Sequence, residues 1–188
     1  MSQDLPTTSY ALLGLLDFGD GLTGYELKQR ADATLRFYWV SPAMSQVYTE
    51  LSRLSRLGLV TASDDEPPGG RRTRRYRITA QGRRDLKRWL KEAPADFPTL
   101  KHPVALRLLL GHLVEPSTTR AMMQQYLDAL DERQASLQEV RDSLQSGEEV
   151  DEQFRFPALV ADWGLDYYES ERQIVTELIA RIDHWSDD

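Results

Sequence analysis

The chain has 188 residues, 40% apolar and 28% charged, no cysteine and a formal net charge of -7, a length and composition that suit one large soluble domain or two small ones. Without cysteine there is no disulfide framework, thiolate zinc site or cysteine nucleophile, and His102, His112 and His184 stand too far apart to suggest ligand spacing. The longest nearly apolar stretch, Val104 to Val114, falls short of the roughly 20 residues of a spanning helix, and Met1 to Thr8 lacks the pattern of a secretion signal. A cytoplasmic protein with no membrane span, metal or cofactor is expected.

In chain order, the run Tyr10, Leu12, Leu13, Leu15, Leu16, Phe18 is leucine-rich and free of β-branched residues, which predicts a helix from about Thr7 to Phe18 that stops at Gly19 and Gly21. Thr23 and Glu26 have the spacing of a capping box, so a second helix starts there and runs to about Leu35. Ser41-Pro42 reads as an N-cap and first position of a third helix. Its apolar side is Met44, Val47, Leu51 and Leu54, and Gly58 stands where a left-handed C-terminal cap belongs. Leu59 to Ser63 and Thr73 to Thr79, joined by a polar loop, read as a β-hairpin. A basic helix follows over Ala80 to Ala93, and then a proline-bearing linker.

The second half reads as helices throughout. Val104 to Val114 is almost uniformly apolar and is expected to be buried on most sides, as a core or interface helix, with Pro116 ending it and Ser117 or Thr118 capping the next. From Thr119 to Gln145, Met123, Leu130, Leu137 and Leu144 recur every seven residues, with Tyr126 and Val140 on the complementary seam that Arg133 interrupts. After a polar loop from Gly147 to Gln153, the stripe Val160, Trp163, Tyr167, Ile174, Leu178, Ile182 and Trp185 predicts a long helix antiparallel to it.

Charge divides the chain in the same place. Residues 1 to 92 carry 15 Lys/Arg and 11 Asp/Glu, a net of +4, whereas residues 93 to 188 carry 8 and 19, a net of -11. Arg71 to Lys91 alone holds ten basic residues against Asp85, a local basic patch on an acidic protein. The fold expected is mainly α: an N-terminal winged helix-turn-helix over residues 1–93, three helices plus a β-hairpin wing, then an all-α domain over 94–188.

A third helix of this kind fits the major groove of B-DNA, and a basic hairpin reaches the neighbouring backbone or minor groove. At about 100° per residue, with Val47, Leu51 and Leu54 inward, Ser45, Thr49, Ser52, Arg53 and Arg56 point outward, flanked by Gln46 and Tyr48. Ser45, Gln46 and Thr49 are placed to read bases, Arg53 and Arg56 suit phosphates, and Tyr48 suits either DNA or packing against the wing. From the wing, Arg72, Arg74 and Arg75 complete the expected DNA-binding set.

The pattern Tyr10-Ala-Leu-Leu-Gly14-Leu-Leu, Thr23-Gly24-Tyr25-Glu26-Leu27, Ser45-Gln46-Val47-Tyr48, the spaced Leu51, Leu54 and Gly58-Leu59-Val60, and Arg74-Arg75-Tyr76-Arg77-Ile78-Thr79 with Gly82 resembles the PadR family of transcriptional regulators. The tail is similar to that of the family's longer-tailed subgroup. The resemblance implies a homodimer joined through the helical tail, a palindromic operator in double-stranded DNA, usually repression, and a small aromatic or drug-like effector. The wing, Gly-Gly-Arg-Arg-Thr-Arg-Arg-Tyr, is richer in arginine than the usual pattern and lacks its proline, which leaves open which arginine enters the minor groove.

Trp39, Trp89, Trp163 and Tyr167, with Tyr168, are candidates for an effector pocket, although aromatics at helical spacing also serve as core. Gly19 to Gly24 spells a dinucleotide fingerprint, but after a helix and without a βαβ unit. With no nucleophile or metal motif either, no enzyme is expected. The rival reading is a helical protein-protein interaction module that uses the winged helix as scaffold, supported by the acidic second half.

Overall fold

The leucines after Pro6 form α1 (Thr7–Asp17) in the computed structural model, which describes residues 5–65, 73–95, 97–98, 101–145 and 152–185. Contacts divide the chain into two units, Met1–Asp96 and Phe97–Asp188. In the first, Tyr10, Leu12, Leu13, Leu15 and Leu16 are all buried, so α1 is covered round most of its circumference rather than along one stripe. Each such leucine stabilises the fold by about 1.5–3 kcal/mol relative to an exposed one. Against α1 pack α2 (Gly24–Thr34), α3 (Met44–Arg56), α4 (Ala80–Glu92) and the central strand of a small sheet.

The capping box opens α2 as the spacing predicts: the Thr23 amide donates to Glu26 Oε2 at 2.7 Å and the Glu26 amide to Thr23 Oγ1 at 3.1 Å. A single 3-10 turn, Leu35–Phe37, closes the helix. The third helix does not begin at Ser41-Pro42. Ser41 has a stronger partner, donating its hydroxyl to Asp32 Oδ1 on α2 at 2.6 Å, and Pro42 is left buried ahead of the helix. The N-cap is Ala43, which cannot cap with a side chain, and Gln46 compensates by accepting the Ala43 amide through Oε1 at 2.9 Å. Val47, Leu51 and Leu54 are wholly buried, and Gly58 at φ +70° supplies the left-handed turn that ends α3.

The hairpin is β2 (Val60–Asp65) against β3 (Thr73–Ile78), in antiparallel register with Val60 opposite Ile78. A two-residue strand, β1 (Leu22–Thr23), adds to the other edge of β3, giving the order β1-β3-β2. Thr79 caps α4 by accepting the Gly82 amide at 3.0 Å and donates to the Gly58 carbonyl at 2.8 Å. Gly82 is there for space: a Cβ would lie 2.3 Å from the Leu59 carbonyl oxygen. Trp89, further along α4, stacks on Tyr10 with centroids 4.7 Å apart and planes 9° off parallel.

The second unit is helical: α5 (Pro103–Leu109), a 3-10 turn Gly111–Leu113, α6 (Pro116–Gln145), a 3-10 turn Glu152–Phe154 and α7 (Arg155–Trp185). Ion pairs from Arg141–Asp162 through Asp131–Arg172 to Arg120–Asp183 climb one helix while descending the other, so α6 and α7 are antiparallel. The α6 heptad faces inward, with Met123, Leu130 and Leu137 buried and Arg133 exposed.

Three expectations for this half are corrected. Val104 to Val114 is not buried on most sides: Val104 and Leu108 pack against the core, but Leu106, Leu109, Leu110, Leu113 and Val114 are exposed, because a helix this short resting on two long ones offers them only one face. Pro116 begins α6 rather than only ending its predecessor, since its missing amide costs nothing at a first turn. On α7 the inward face is Ala158, Ala161, Gly164, Tyr168, Val175, Ile179 and Ile182, whereas Trp163, Tyr167 and Ile174 from the expected stripe are exposed. Small residues let the helices approach: a Cβ on Gly164 would lie 2.7 Å from Leu137 Cδ2. The side chain of Trp185 lies outside the described residues.

One polar junction ties the three helices together. His102, at the N-cap of α5, accepts the Ala105 amide through Nδ1 at 3.1 Å, which leaves the proton of the neutral ring on Nε2, 2.7 Å from Glu171 Oε1 on α7. Tyr126 on α6 donates to the same oxygen at 3.3 Å. Burial, and then the nearby Glu171 carboxylate, push the Tyr126 phenol well above its usual 10. A raised phenol pKa stabilises the fold fully below the unfolded value and less as pH climbs past it.

Two outcomes follow from this packing. Gly82→Ala should destabilise the first unit by about 1–3 kcal/mol, read as a lower urea midpoint at unchanged m-value. The stability advantage of wild type over Tyr126→Phe should shrink between pH 8 and 11, as Tyr126 is held protonated only in the folded state; a constant gap in urea unfolding across that range would contradict the junction.

Candidate nucleic-acid interface

Burial of Val47, Leu51 and Leu54 rotates the opposite face of α3 into solvent, so Ser45, Gln46, Tyr48, Thr49, Ser52 and Arg56 are all exposed and Arg53 is half-buried. The small side chains are held against their own helix: Thr49 Oγ1 donates to the Ser45 carbonyl at 2.8 Å and Ser52 Oγ to the Tyr48 carbonyl at 2.9 Å. This leaves a slim, polar surface of the width a major groove admits. Gln46 has a double demand on it. Its carbonyl oxygen caps α3, so a bidentate pair with adenine, which uses oxygen and amide together, requires it to leave the Ala43 amide.

Tyr48 packs on the start of α2. Its ring covers Gly24, where a Cβ would lie 2.5 Å from Cε1, and it locks the first turn of α2 to the second turn of α3. Half of the side chain still faces solvent.

On β3 the period of two separates the arginines. Arg75 and Arg77 fall on one face and are both used to hold the Asp20–Thr23 segment. Arg75 pairs with Glu26 (3.2 Å) and donates to the Gly21 carbonyl (3.1 Å), and Arg77 Nε donates to the Asp20 carbonyl. Glu26 is therefore shared between cap and wing. The Thr23 amide, with the Thr23 hydroxyl and the Arg75 guanidinium, holds its carboxyl below the usual carboxylate range despite a counteracting push from burial. Arg74, on the other face, is exposed, its guanidinium 5.8 Å above the Tyr76 ring. Arg71 and Arg72 lie outside the described residues. The basic side chains of α4 add Arg83, paired with Asp17 at 2.6 Å, and Arg84, Lys87 and Lys91, which are exposed.

The four aromatics considered for an effector pocket do not gather within either unit. Trp39 is half-exposed in the segment after α2, and Trp89 is committed to its stack on Tyr10. Trp163 and Tyr167 are exposed on α7, with Tyr168 beneath them in the core. A cavity of about 350 Å³ opens elsewhere in the second unit, lined by Arg107, Leu110, Leu113, Val114, Thr118, Thr119 and Met122.

Several contributors have no motif to announce them. Glu50 of α3 is buried and accepts a hydrogen bond from the wholly buried Ser9 of α1. Its place three residues after Val47 and one before Leu51 is the signal that it cannot be an ordinary surface acid. The dual use of Glu26 is hinted at only by the excess of arginine on β3. Among the described residues no group of three His, Asp or Glu is arranged to hold a metal ion, and no helix is long and apolar enough to cross a membrane.

Comparison with known proteins matches residues 12–88 to the Transcriptional regulator PadR-like family and residues 100–183 to the Virulence activator alpha C-term family. The negative transcriptional regulator PadR of Bacillus subtilis (strain 168) is 28% identical over 134 residues, 71% of each chain. The crystal structure of Bacillus subtilis PadR in complex with operator DNA superposes with a TM-score of 0.81 at 22% identity, covering 94% of this chain and 99% of that one. The same protein in complex with p-coumaric acid gives a TM-score of 0.76 at 23% identity, over 95% and 99%. The fold is thus shared along nearly the whole length, winged helix and helical tail alike, and residues 12–88 form a PadR-like transcriptional-regulator domain.

Proposed function

We propose that this protein is a DNA-binding transcriptional regulator, a homodimeric repressor whose grip on a palindromic operator is controlled by a small aromatic ligand. The observation that carries the reading is the exposed polar face of α3 beside a basic wing, in a winged-helix domain of the PadR-like family. Residues 1–93 contact DNA and residues 94–188 pair the two copies. Ser45, Gln46 and Thr49 face base edges, while Arg53, Arg72 and Arg74 approach phosphates. Arg75 and Tyr48 serve the interface from behind, by fixing the wing and the first turn of α2 against which α3 is set.

Pairing through the second unit is supported by its exposed apolar side chains. Phe156, Leu159, Trp163, Tyr167 and Ile174 lie along one side of α7, Leu106 and Leu109 stand out from α5, and Leu113 stands out from the 3-10 turn after it. Apolar rows of that length on a folded chain mark an interaction surface. A two-fold dimer sets two recognition helices one helical turn of DNA, or a small multiple, apart. The effector class follows the p-coumaric acid complex of the Bacillus subtilis relative. In two-state terms the ligand binds the DNA-incompetent arrangement more tightly and shifts the population toward it.

The test is a mobility shift against the DNA upstream of the protein's own gene, with two wing variants. Arg74→Ala should weaken binding about tenfold and flatten the salt dependence at unchanged melting temperature, as loss of a phosphate contact does. Arg75→Ala should lower the melting temperature, because it releases Glu26 and the Gly21 carbonyl. No shift by the intact dimer at low salt would instead favour an interaction module that uses the winged helix as scaffold.

A further inference from the structure

On α3, among exposed polar residues and buried leucines, Glu50 is the acid that belongs to neither set. Its residue is only 8% exposed. One carboxylate oxygen, Oε2, accepts the hydroxyl of Ser9, a residue of α1 with no exposure at all. The other, Oε1, lies 3.5 Å from Nε of Arg53, three residues on along α3. Arg53 is two-fifths exposed and has no other partner among the described residues. A single carboxylate thus spans from the first helix of the scaffold to an arginine at the edge of the DNA-facing side.

We propose that Glu50 is a positioning residue for operator recognition, acting through Arg53. The inference rests on the DNA-binding reading above and deepens it. Three facts carry it. First, an isolated buried carboxylate is costly, and of its two partners Ser9 supplies a hydrogen bond whereas Arg53 supplies the charge, so the pair is mutually needed. Second, Nε is the inner donor of the guanidinium fork. The ion pair with Glu50 engages that inner nitrogen, so the two terminal nitrogens keep the two-pronged arrangement that suits a phosphate or a guanine edge. Third, Ser9 is fixed at the start of α1 by its amide, which donates to the Pro6 carbonyl at 2.8 Å, so the reference point of the chain Ser9–Glu50–Arg53 is the core and not a mobile surface. Arg56, one turn further along α3 and exposed, has no such tether among the described residues. Arg53 would therefore meet DNA with much of its rotamer freedom already removed, which favours the one registered contact over the many unregistered ones.

Glu50→Gln keeps the size and the acceptor for Ser9 but gives up the charge that holds Arg53. The experiment is a double-mutant cycle of Glu50→Gln and Arg53→Ala. Binding is measured to a duplex selected by the wild type from a random-sequence library and to a scrambled duplex of the same composition. The ratio of the two affinities should fall about five- to tenfold on Glu50→Gln when Arg53 is present, and by less than about twofold when it is alanine. Melting temperatures are read alongside, and any change from Glu50→Gln should be similar in both backgrounds. An equal loss of discrimination in both backgrounds would make Glu50 purely structural and overturn the inference while leaving the DNA-binding reading intact. A wild type that selects no sequence would overturn both. Should Glu50→Gln fail to fold, the wild type answers directly by NMR. The Arg53 Nε proton should be shifted and slow to exchange relative to that of Arg56, and two indistinguishable signals would refute the tether.

Discussion

Burial of α1 on nearly every side is the constraint on which the rest of the winged-helix unit depends. Leu12, Leu13 and Leu16 have no exposure, and around them close α2, α3, α4 and β3. A helix apolar all round can exist in a small domain only if it is enclosed, so the leucines of α1 dictate that the other helices wrap it. That enclosure fixes which face of α3 is left outside, seats β3 as the middle strand, and draws α4 back across α1 through the Tyr10–Trp89 stack. Even the one buried acid of α3 is referred to α1, through Ser9. The outward face of α3, proposed to meet DNA, is therefore a consequence of core packing, and α1 sets it.

Much of this was legible in the sequence because the signals are local. The Thr23/Glu26 box, the Val47, Leu51, Leu54 spacing, Gly58 and the alternation of β3 each report on a few consecutive residues. What was not legible depends on competition between distant groups. Ser41 reads as a cap until Asp32 is seen to claim its hydroxyl. Arg74 and Arg75 are equivalent in any count of charge, and only the approach of the Asp20–Thr23 segment to one face of β3 makes one structural and leaves the other exposed. β1, at two residues, is too short to carry a periodicity.

The helical unit shows a second kind of ambiguity. α7 has two apolar faces, one of small residues and branched aliphatics and one of large aromatics, and hydrophobicity favours the larger side chains as core. Packing chose otherwise. Ala158, Ala161 and Gly164 allow α6 close, and the bulky Phe156, Trp163 and Tyr167 are left outside, where on the proposed reading they meet a second copy. An apolar pattern identifies a face that needs covering but not whether the cover comes from the same chain. Val104 to Val114 carries the same lesson, since a run this apolar was bound to be covered, yet most of it is exposed within one chain.

Together these features describe a closely packed winged helix that presents one polar helix and a basic wing, and on the proposed reading an acidic helical unit joins two such heads. The central claim is that the two heads bind one operator together, chiefly through phosphates. The most direct test is binding stoichiometry and salt dependence on the selected duplex, measured together. If each protomer neutralises about four phosphates, two protomers should bind per operator with a log-log salt slope near -7. One protomer per site, or a slope flatter than about -2, would contradict it.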